Sequence, residues 1–322
     1  MAMIEVEDVR RSFTVRVRDG RWRRTRREVR AVDGLTFAVA EGECVGYIGP
    51  NGAGKSTTVK MLTGILVPSG GRLRVAGVDP AARRAELARR IGVVFGQRTT
   101  LWWDLPLRDS YELARRIYRI PAAAYRANLD RCVELLDLGG LLDTPVRQLS
   151  LGQRMRGDLA AALLHDPDVL YLDEPTIGLD TVSKAKVRAF LRETNRERRT
   201  TVLLTTHDLT DIEQLCDRVM VIDHGRLVLD GPLERLHEIG GSERTLVVDL
   251  AEAHPPIELP GVRVVRTEGP RQWLAFPARQ SAAPVVAAVA ECYPLVDLSV
   301  REPAIEDVIA RIYAGSAPAP AH

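Results

Sequence analysis

Apolar and polar positions change period several times along this chain. Residues 4–9 and 35–40 alternate, as half-buried strands do. Residues 44–48 form an unbroken apolar run, and residues 57–62 after them have helical spacing. Strand-like runs recur at 72–75 and 91–95, with a turn between them at Gly77-Val78-Asp79-Pro80. From 107 to 142 the period is helical, with Leu113, Ile117, Val133, Leu135 and Leu136 expected on apolar faces. Apolar runs return at 169–172 and 202–205, the pattern of parallel strands buried on both faces. Strands alternating with helices predict an α/β core with a mainly parallel sheet, and 107–142 predicts an inserted helical subdomain. Gly231-Pro232 and Gly240-Gly241 punctuate the end of the core. Strand-like runs at 245–250 and 262–265 and helical runs at 283–292 and 304–313 then predict a small second domain, with a frayed Ala/Pro tail at 316–320. The expected organisation is one domain over 1–240, with its helical subdomain at about 98–148, and an accessory domain over 241–322.

Composition changes this picture in one place. Formal net charge is +2, and 27% of residues are charged, so no nucleic-acid partner and no disorder are expected. Yet residues 16–30 hold eight arginines against Asp19 and Glu28. This insert reads as a solvated hairpin loop. A sharper reading is contact with acidic lipid headgroups or with the cytosolic loops of a membrane partner. Cys44, Cys132, Cys216 and Cys292 have no metal or redox spacing, so free thiols in a reducing compartment are expected. The N-terminus has no signal-peptide pattern, and no apolar run approaches the ~20 residues needed to span a bilayer. The expectation is a protein soluble by itself, whose membrane role comes through a partner.

The candidate chemistry centres on Gly49-Pro50-Asn51-Gly52-Ala53-Gly54-Lys55-Ser56-Thr57, which has the spacing GxxxxGK[ST] between a strand and a helix. Glycines let successive backbone N–H groups point into one concavity, and the helix that follows turns its positive dipole end toward it. Such a hollow binds the phosphates of a nucleotide. Gly49, Asn51, Gly52, Ala53, Gly54, Lys55, Ser56 and Thr57 are therefore the candidate nucleotide contacts, with Lys55 on the β- and γ-phosphates and the Ser56 hydroxyl on Mg²⁺. The apolar strand 169–172 ends in Asp173-Glu174, at the edge of the sheet where ligands bind. Asp173 is placed to hold Mg²⁺ through its water shell, and Glu174 to take a proton from an attacking water.

In this order the motifs resemble those of the ATP-binding subunits of ABC transporters over roughly residues 4–240. Residues 49–57 match the family's Walker A and 169–174 its Walker B. Leu149-Ser150-Leu151-Gly152-Gln153 is similar to the signature LSGGQ, with leucine where glycine is usual. The resemblance implies a P-loop NTPase (ABC ATPase) fold with an antiparallel β subdomain, the helical insert and a small α+β C-terminal domain. It implies that Phe13 stacks on adenine and that Gln97 of the Q-loop contacts metal and water. Asp180 falls in the D-loop, and His207 fits the switch histidine that helps catalysis. Ser150, Gly152 and Gln153 would face the ATP held by a second subunit, homologous or identical, stacked head to tail. Residues 302–309 resemble the ending of ABC-2-type exporter ATPases, including those linked to daunorubicin-type drug resistance.

The function so implied is ATP hydrolysis that powers transport, and export above all, through a separate permease at the cytoplasmic face of the membrane. Trp102 and Trp103, on the segment after Gln97, are the candidate permease contacts, with one of the two rings expected to pack inside the helical subdomain. Two other readings share these motifs: a soluble ABC ATPase uncoupled from transport, and a silent nucleotide-binding regulator. Intact Lys55, Asp173, Glu174 and His207 argue against the second.

Overall fold

The computed structural model describes residues 2–19, 23–96, 98–206, 208–235, 243–277 and 280–301, without the side chains of 16–25. Gln97, His207, Gly240-Gly241, the expected helix at 304–313, the exporter-like segment 302–309 and the tail lie outside them. The chain forms two units, Met1–Gly231 and Pro232–His322.

The first unit opens with two long antiparallel strands, β1 (Ala2–Asp19) and β2 (Arg23–Ala40). They pair from Ala2↔Ala40 to Asp19↔Arg23, and β4 (Gly70–Val75) adds to the other edge of β1. The arginine insert is therefore paired strand rather than loop over its described backbone. Its register sets Arg16 opposite Arg26 and Arg18 opposite Arg24. Composition suggested a loop because charge and missing apolar alternation hide the ladder, which needs only backbone groups.

The main sheet has six strands in the order β5-β6-β7-β3-β8-β9. Its members are β3 (Cys44–Ile48), β5 (Ile91–Phe95), β6 (Val169–Asp173), β7 (Thr201–Thr205), β8 (Arg218–Asp223) and β9 (Arg226–Pro232). Neighbours from β5 to β8 pair in parallel. Every residue of β3 and β7 is buried, as strands covered on both faces require. One core runs from Ile4, Leu35 and Val39 through Tyr47, Met61 and Leu62 to Tyr171 and Ile222, so both sheets share it.

Helix α1 (Lys55–Leu62) follows β3, and a single turn, α2 (Arg84–Leu87), precedes β5. Between β5 and β6 the chain makes α3 (Leu107–Tyr118), α4 (Ala122–Leu135) and α5 (Leu151–Leu163). On α3 the buried stripe is Leu107, Ser110, Tyr111 and Ala114. Ile117, expected on an apolar face, is 56% exposed. At about 100° per residue it turns away from the stripe that continues to Tyr118, whose ring stacks on His165 with centroids 4.1 Å apart. Two further helices, α6 (Thr181–Arg198) and α7 (Leu209–Leu215), flank β7.

The second unit is an antiparallel sheet ordered β11-β12-β10-β13. It comprises β10 (Glu243–Leu250), β11 (Arg263–Glu268), β12 (Arg271–Pro277) and β13 (Leu295–Arg301), with helix α8 (Ala282–Cys292) between the last two. Val285 and Val289 of α8 bury against Leu246, Val248, Leu274 and Phe276. Buried Gln272 fastens the 254–257 segment by donating to the carbonyls of His254 and Pro255 and accepting from the Ile257 amide.

Candidate active site

The parallel sheet gathers the loops that leave the carboxyl ends of β3, β5, β6 and β7 along one edge. A cavity of about 550 Å³ lies there, lined by Gly52, Gly54, Lys55, Ser56, Asp173 and Glu174 among others. The residues read from the sequence as phosphate loop and as carboxylate pair, far apart in the chain, thus share one hollow.

The loop's shape follows from its glycines. Gly54 has φ 109, and a Cβ there would stand 2.5 Å from the Ala31 carbonyl of β2. Only glycine takes that backbone without strain or collision. The Ala53 amide bonds Pro50 O at 3.1 Å, and the Ala53 carbonyl accepts from Gly225 N at 2.9 Å, which fixes the loop to the β8–β9 turn. The first amides of α1 have no carbonyl one turn earlier in the helix, so they face the hollow as donors. Lys55 Nζ lies back along the loop and donates to the carbonyls of Gly49 and Pro50. Burial pulls the Lys55 ammonium below the ordinary lysine range, and the negative charges of Glu174 and Asp173 oppose that pull.

Both acids are held by backbone. Asp173 ends β6; its carbonyl accepts from Gly96 N at 2.6 Å, and its carboxylate accepts from the buried Thr205 hydroxyl on β7. Glu174 N donates to Thr205 O at 2.8 Å. Glu174 has φ 56, a left-handed conformation that costs a non-glycine residue about 1–2 kcal/mol and here aims the residue out of the strand line.

Ser150 and Asp180 stand at the starts of two helices rather than in this cavity. Ser150 caps α5 through a reciprocal pair with Gln153: Gln153 N donates to Ser150 Oγ at 3.2 Å, and Ser150 N donates to Gln153 Oε1 at 2.9 Å. The Ser150 hydroxyl proton stays available to an outside acceptor. Asp180 caps α6, accepting from Ser183 N at 2.9 Å and Ser183 Oγ at 2.7 Å, and these bonds hold its carboxyl below the usual range. None of Ser150, Gly152, Gln153 or Asp180 lines the cavity that holds Lys55. Phe13 does not line it either; the Arg11 guanidinium lies 4.7 Å over its ring. Phe13 pairs with Val29, two residues before Ala31, which does line the cavity.

Trp102 and Trp103 are 43% and 50% exposed, so the expectation that one packs inside the helical subdomain is wrong. Their backbone is anchored: Trp102 N donates to Ser110 Oγ at 3.2 Å, and Trp103 O accepts from Arg147 N at 3.0 Å. Arg154 of α5 lies 5.4 Å from the Trp103 ring centre.

Two polar clusters escaped the sequence reading. Asp158 on α5 accepts from Thr100 N at 2.8 Å and from the Thr99 and Thr100 hydroxyls at 2.9 and 3.0 Å, tying the segment after 97 to the signature helix. Burial raises the Asp158 carboxyl despite these bonds. Asp211 on α7 is fully buried and pairs with Arg188 of α6 at 2.9 Å. Its second oxygen accepts from the Thr176 hydroxyl, two residues after Glu174. One turn earlier, Lys184 pairs with Asp208, the cap of α7, and holds its carboxyl below the usual range. The available signal was a charge at the i and i+4 positions of α6, which the sequence gives no reason to bury.

Mg²⁺ takes oxygen ligands, one or two from protein and the rest from phosphate and water. Among the described residues no group of three His, Cys, Asp or Glu side chains is clustered for a metal. The donor set here, a hydroxyl and a carboxylate facing a phosphate hollow, fits that pattern of sparse protein ligation.

The ABC transporter family model matches residues 32–177. DrrA3, a daunorubicin resistance ATP-binding protein of Streptomyces coeruleorubidus, is 38% identical over 288 residues. That alignment covers 87% of this chain and 90% of the relative, so it runs past the first structural unit. Nod factor export ATP-binding protein I of Ralstonia nicotianae is 40% identical over 70% of this chain and 74% of its own length. A solved ATP-binding subunit of an ABC transporter superposes with a TM-score of 0.63 at 26% identity, over 73% of this chain and 92% of that one. A dimeric ATP-binding cassette in a post-hydrolysis state, bound to ADP and Pi, gives 0.62 at 25% identity, over 72% and 99%.

Proposed function

The chain belongs to the family of ABC transporter ATP-binding subunits and is an ATPase, and from that premise we propose that it works as half of a head-to-tail pair driving export through a separate permease. One observation carries the pairing. The cavity with Lys55, Ser56, Asp173 and Glu174 excludes the signature residues of its own chain, so a complete site needs those of a second copy. Export is supported by the relatives, whose names speak of daunorubicin resistance and Nod factor export. No helix among the described residues is long and apolar enough to cross a membrane. We place the docking on the permease at Trp102 and Trp103, both exposed.

The chemistry is transfer of the γ-phosphoryl of ATP to water. In this site the α1 amides and Lys55 hold the phosphates and spread the charge that develops on them. Ser56 and Asp173 would hold Mg²⁺, which when bound neutralises charge between the β- and γ-phosphates. Glu174, turned out of β6 by its left-handed backbone, orients the water and takes its proton. Phe13 stacks on the base at the β2 side of the cavity. Ser150 and Gly152 of the second copy donate to the γ-phosphate, and Gln97 and His207 complete the shell.

Glu174→Gln tests this. It should retain MgATP, lose turnover by roughly 10²–10⁴-fold, and migrate as an ATP-dependent dimer in size-exclusion chromatography. Undiminished turnover would remove Glu174 from its role, and a monomer under saturating ATP would remove the pairing.

A further inference from the structure

We propose that Leu151, the residue that departs from the family's signature, is a positioning residue that locks the signature to the D-loop of its own chain. Two Leu–Gly contacts cross each other between these segments. A Cβ built on Gly178 would stand 2.4 Å from Leu151 Cδ2, and one built on Gly152 would stand 3.1 Å from Leu179 Cδ2. Leu151 therefore lies across the bare backbone of Gly178, and Leu179 lies across the bare backbone of Gly152. Gly178 has φ 71, so its place suits glycine on backbone grounds as well.

What the clasp joins is specific. Leu151 is the first residue of α5 and Leu179 precedes the cap of α6, so two helix starts with side-chain caps are held together. On the far side of the D-loop, Ile177 N donates to Glu174 O at 3.3 Å and Leu179 N to Thr176 O at 3.2 Å. A continuous set of contacts thus runs from Leu151 through Gly178 to the backbone of Glu174. Leu179 is buried, whereas Leu151 keeps 40% of its surface exposed. Leu151 is the accessible half of the clasp, and its loss does not open the core.

A glycine in place of Leu151 would leave Gly178 facing empty space and remove one of the two contacts that join the helix starts. The leucine is then an adapted part rather than a defect. This inference rests on the head-to-tail reading, because the signature gains its meaning from the ATP of the other copy.

A size-swap cycle tests it in the full chain. Gly178→Ala puts a methyl group into Leu151 and should lower kcat by roughly 10²-fold, with the KM for ATP changed about twofold at most. Leu151→Ala should lower kcat on the order of tenfold. The double variant should be faster than Gly178→Ala alone, since the left-handed strain of alanine is common to both and only the collision is relieved. Leu151→Met should stay within about twofold of the parent. Multiplicative losses in the double variant, or an unimpaired Leu151→Gly, overturn the clasp. ATP-dependent dimerisation of Glu174→Gln, measured beside the cycle in the parent chain, separates the two ideas. If Glu174→Gln itself fails to dimerise with ATP, the head-to-tail reading has failed. If it dimerises and the cycle is still multiplicative, only the clasp has failed.

Discussion

Asp211→Asn should be among the most damaging conservative changes in this chain. The carboxylate is 0% exposed and has both oxygens engaged, one on Arg188 Nη1 at 2.9 Å and one on the Thr176 hydroxyl. Arg188 is itself buried, and its Nε has no hydrogen-bond partner among the described residues. Neutralising Asp211 leaves a guanidinium in a dry interior with no counter-charge. Removing one member of a buried pair costs about 3–5 kcal/mol, mostly the desolvation of the charge left behind. With a urea slope of about 3 kcal/mol/M, suited to a unit of this size, the unfolding midpoint should fall by about 1–1.7 M. Circular dichroism during urea titration reads this directly. The pairing account also requires that Arg188→Met with Asp211→Leu recover most of the loss, because two apolar side chains replace two charges. The ATPase readout should move too. The asparagine amide keeps only one of the two acceptor oxygens, which disturbs the contact with Thr176, two residues from Glu174, so kcat should fall while the KM for ATP holds. A midpoint shift under about 0.3 M, or a double variant as unstable as Asp211→Asn, would refute the reasoning.

Lys55→Ala should abolish MgATP binding, measured by calorimetry, because the cation at the phosphate hollow is removed. Alanine at Trp102 or Trp103 should leave basal ATPase and the thermal midpoint near the parent, since both rings are exposed, and should break permease co-purification; retention by both single variants and the double would place docking elsewhere. His165 donates from Nε2 to Ile91 O at 2.9 Å, and burial depresses its pKa. The unfolded chain then binds more protons than the folded one, so stability should drop as pH falls below about 6.5, and His165→Gln should flatten that slope in denaturation at pH 5 to 7. Glutamine at Arg16, Arg18, Arg24 and Arg26, which pair across the hairpin, should weaken salt-sensitive binding to anionic vesicles by about 1 kcal/mol per charge and spare ATPase. Equal vesicle binding would return the insert to a solvated role.

The sequence by itself determined the parts of this protein whose chemistry is local. Strand, glycine loop and helix must be consecutive to form a phosphate hollow, so residues 44–62 could be read directly. The buried parallel strands were equally legible, because a strand covered on both faces must be apolar throughout: 91–95 and 169–173 stand where their patterns put them. Tertiary structure alone decided what depends on residues far apart in the chain. Asp211 and Arg188 look like surface charges on two helices until the packing of α6 on α7 removes water from between them. Asp158 acquires its role only when the 98–101 segment folds onto α5. The arginine hairpin became strand because its ladder is made by backbone groups, to which side-chain periodicity is blind. Leu151, a mere departure from a motif in the sequence, became a packing partner once the fold set it across Gly178. A motif records which atoms must be neighbours in the chain; burial and counter-charge depend on which atoms become neighbours in space.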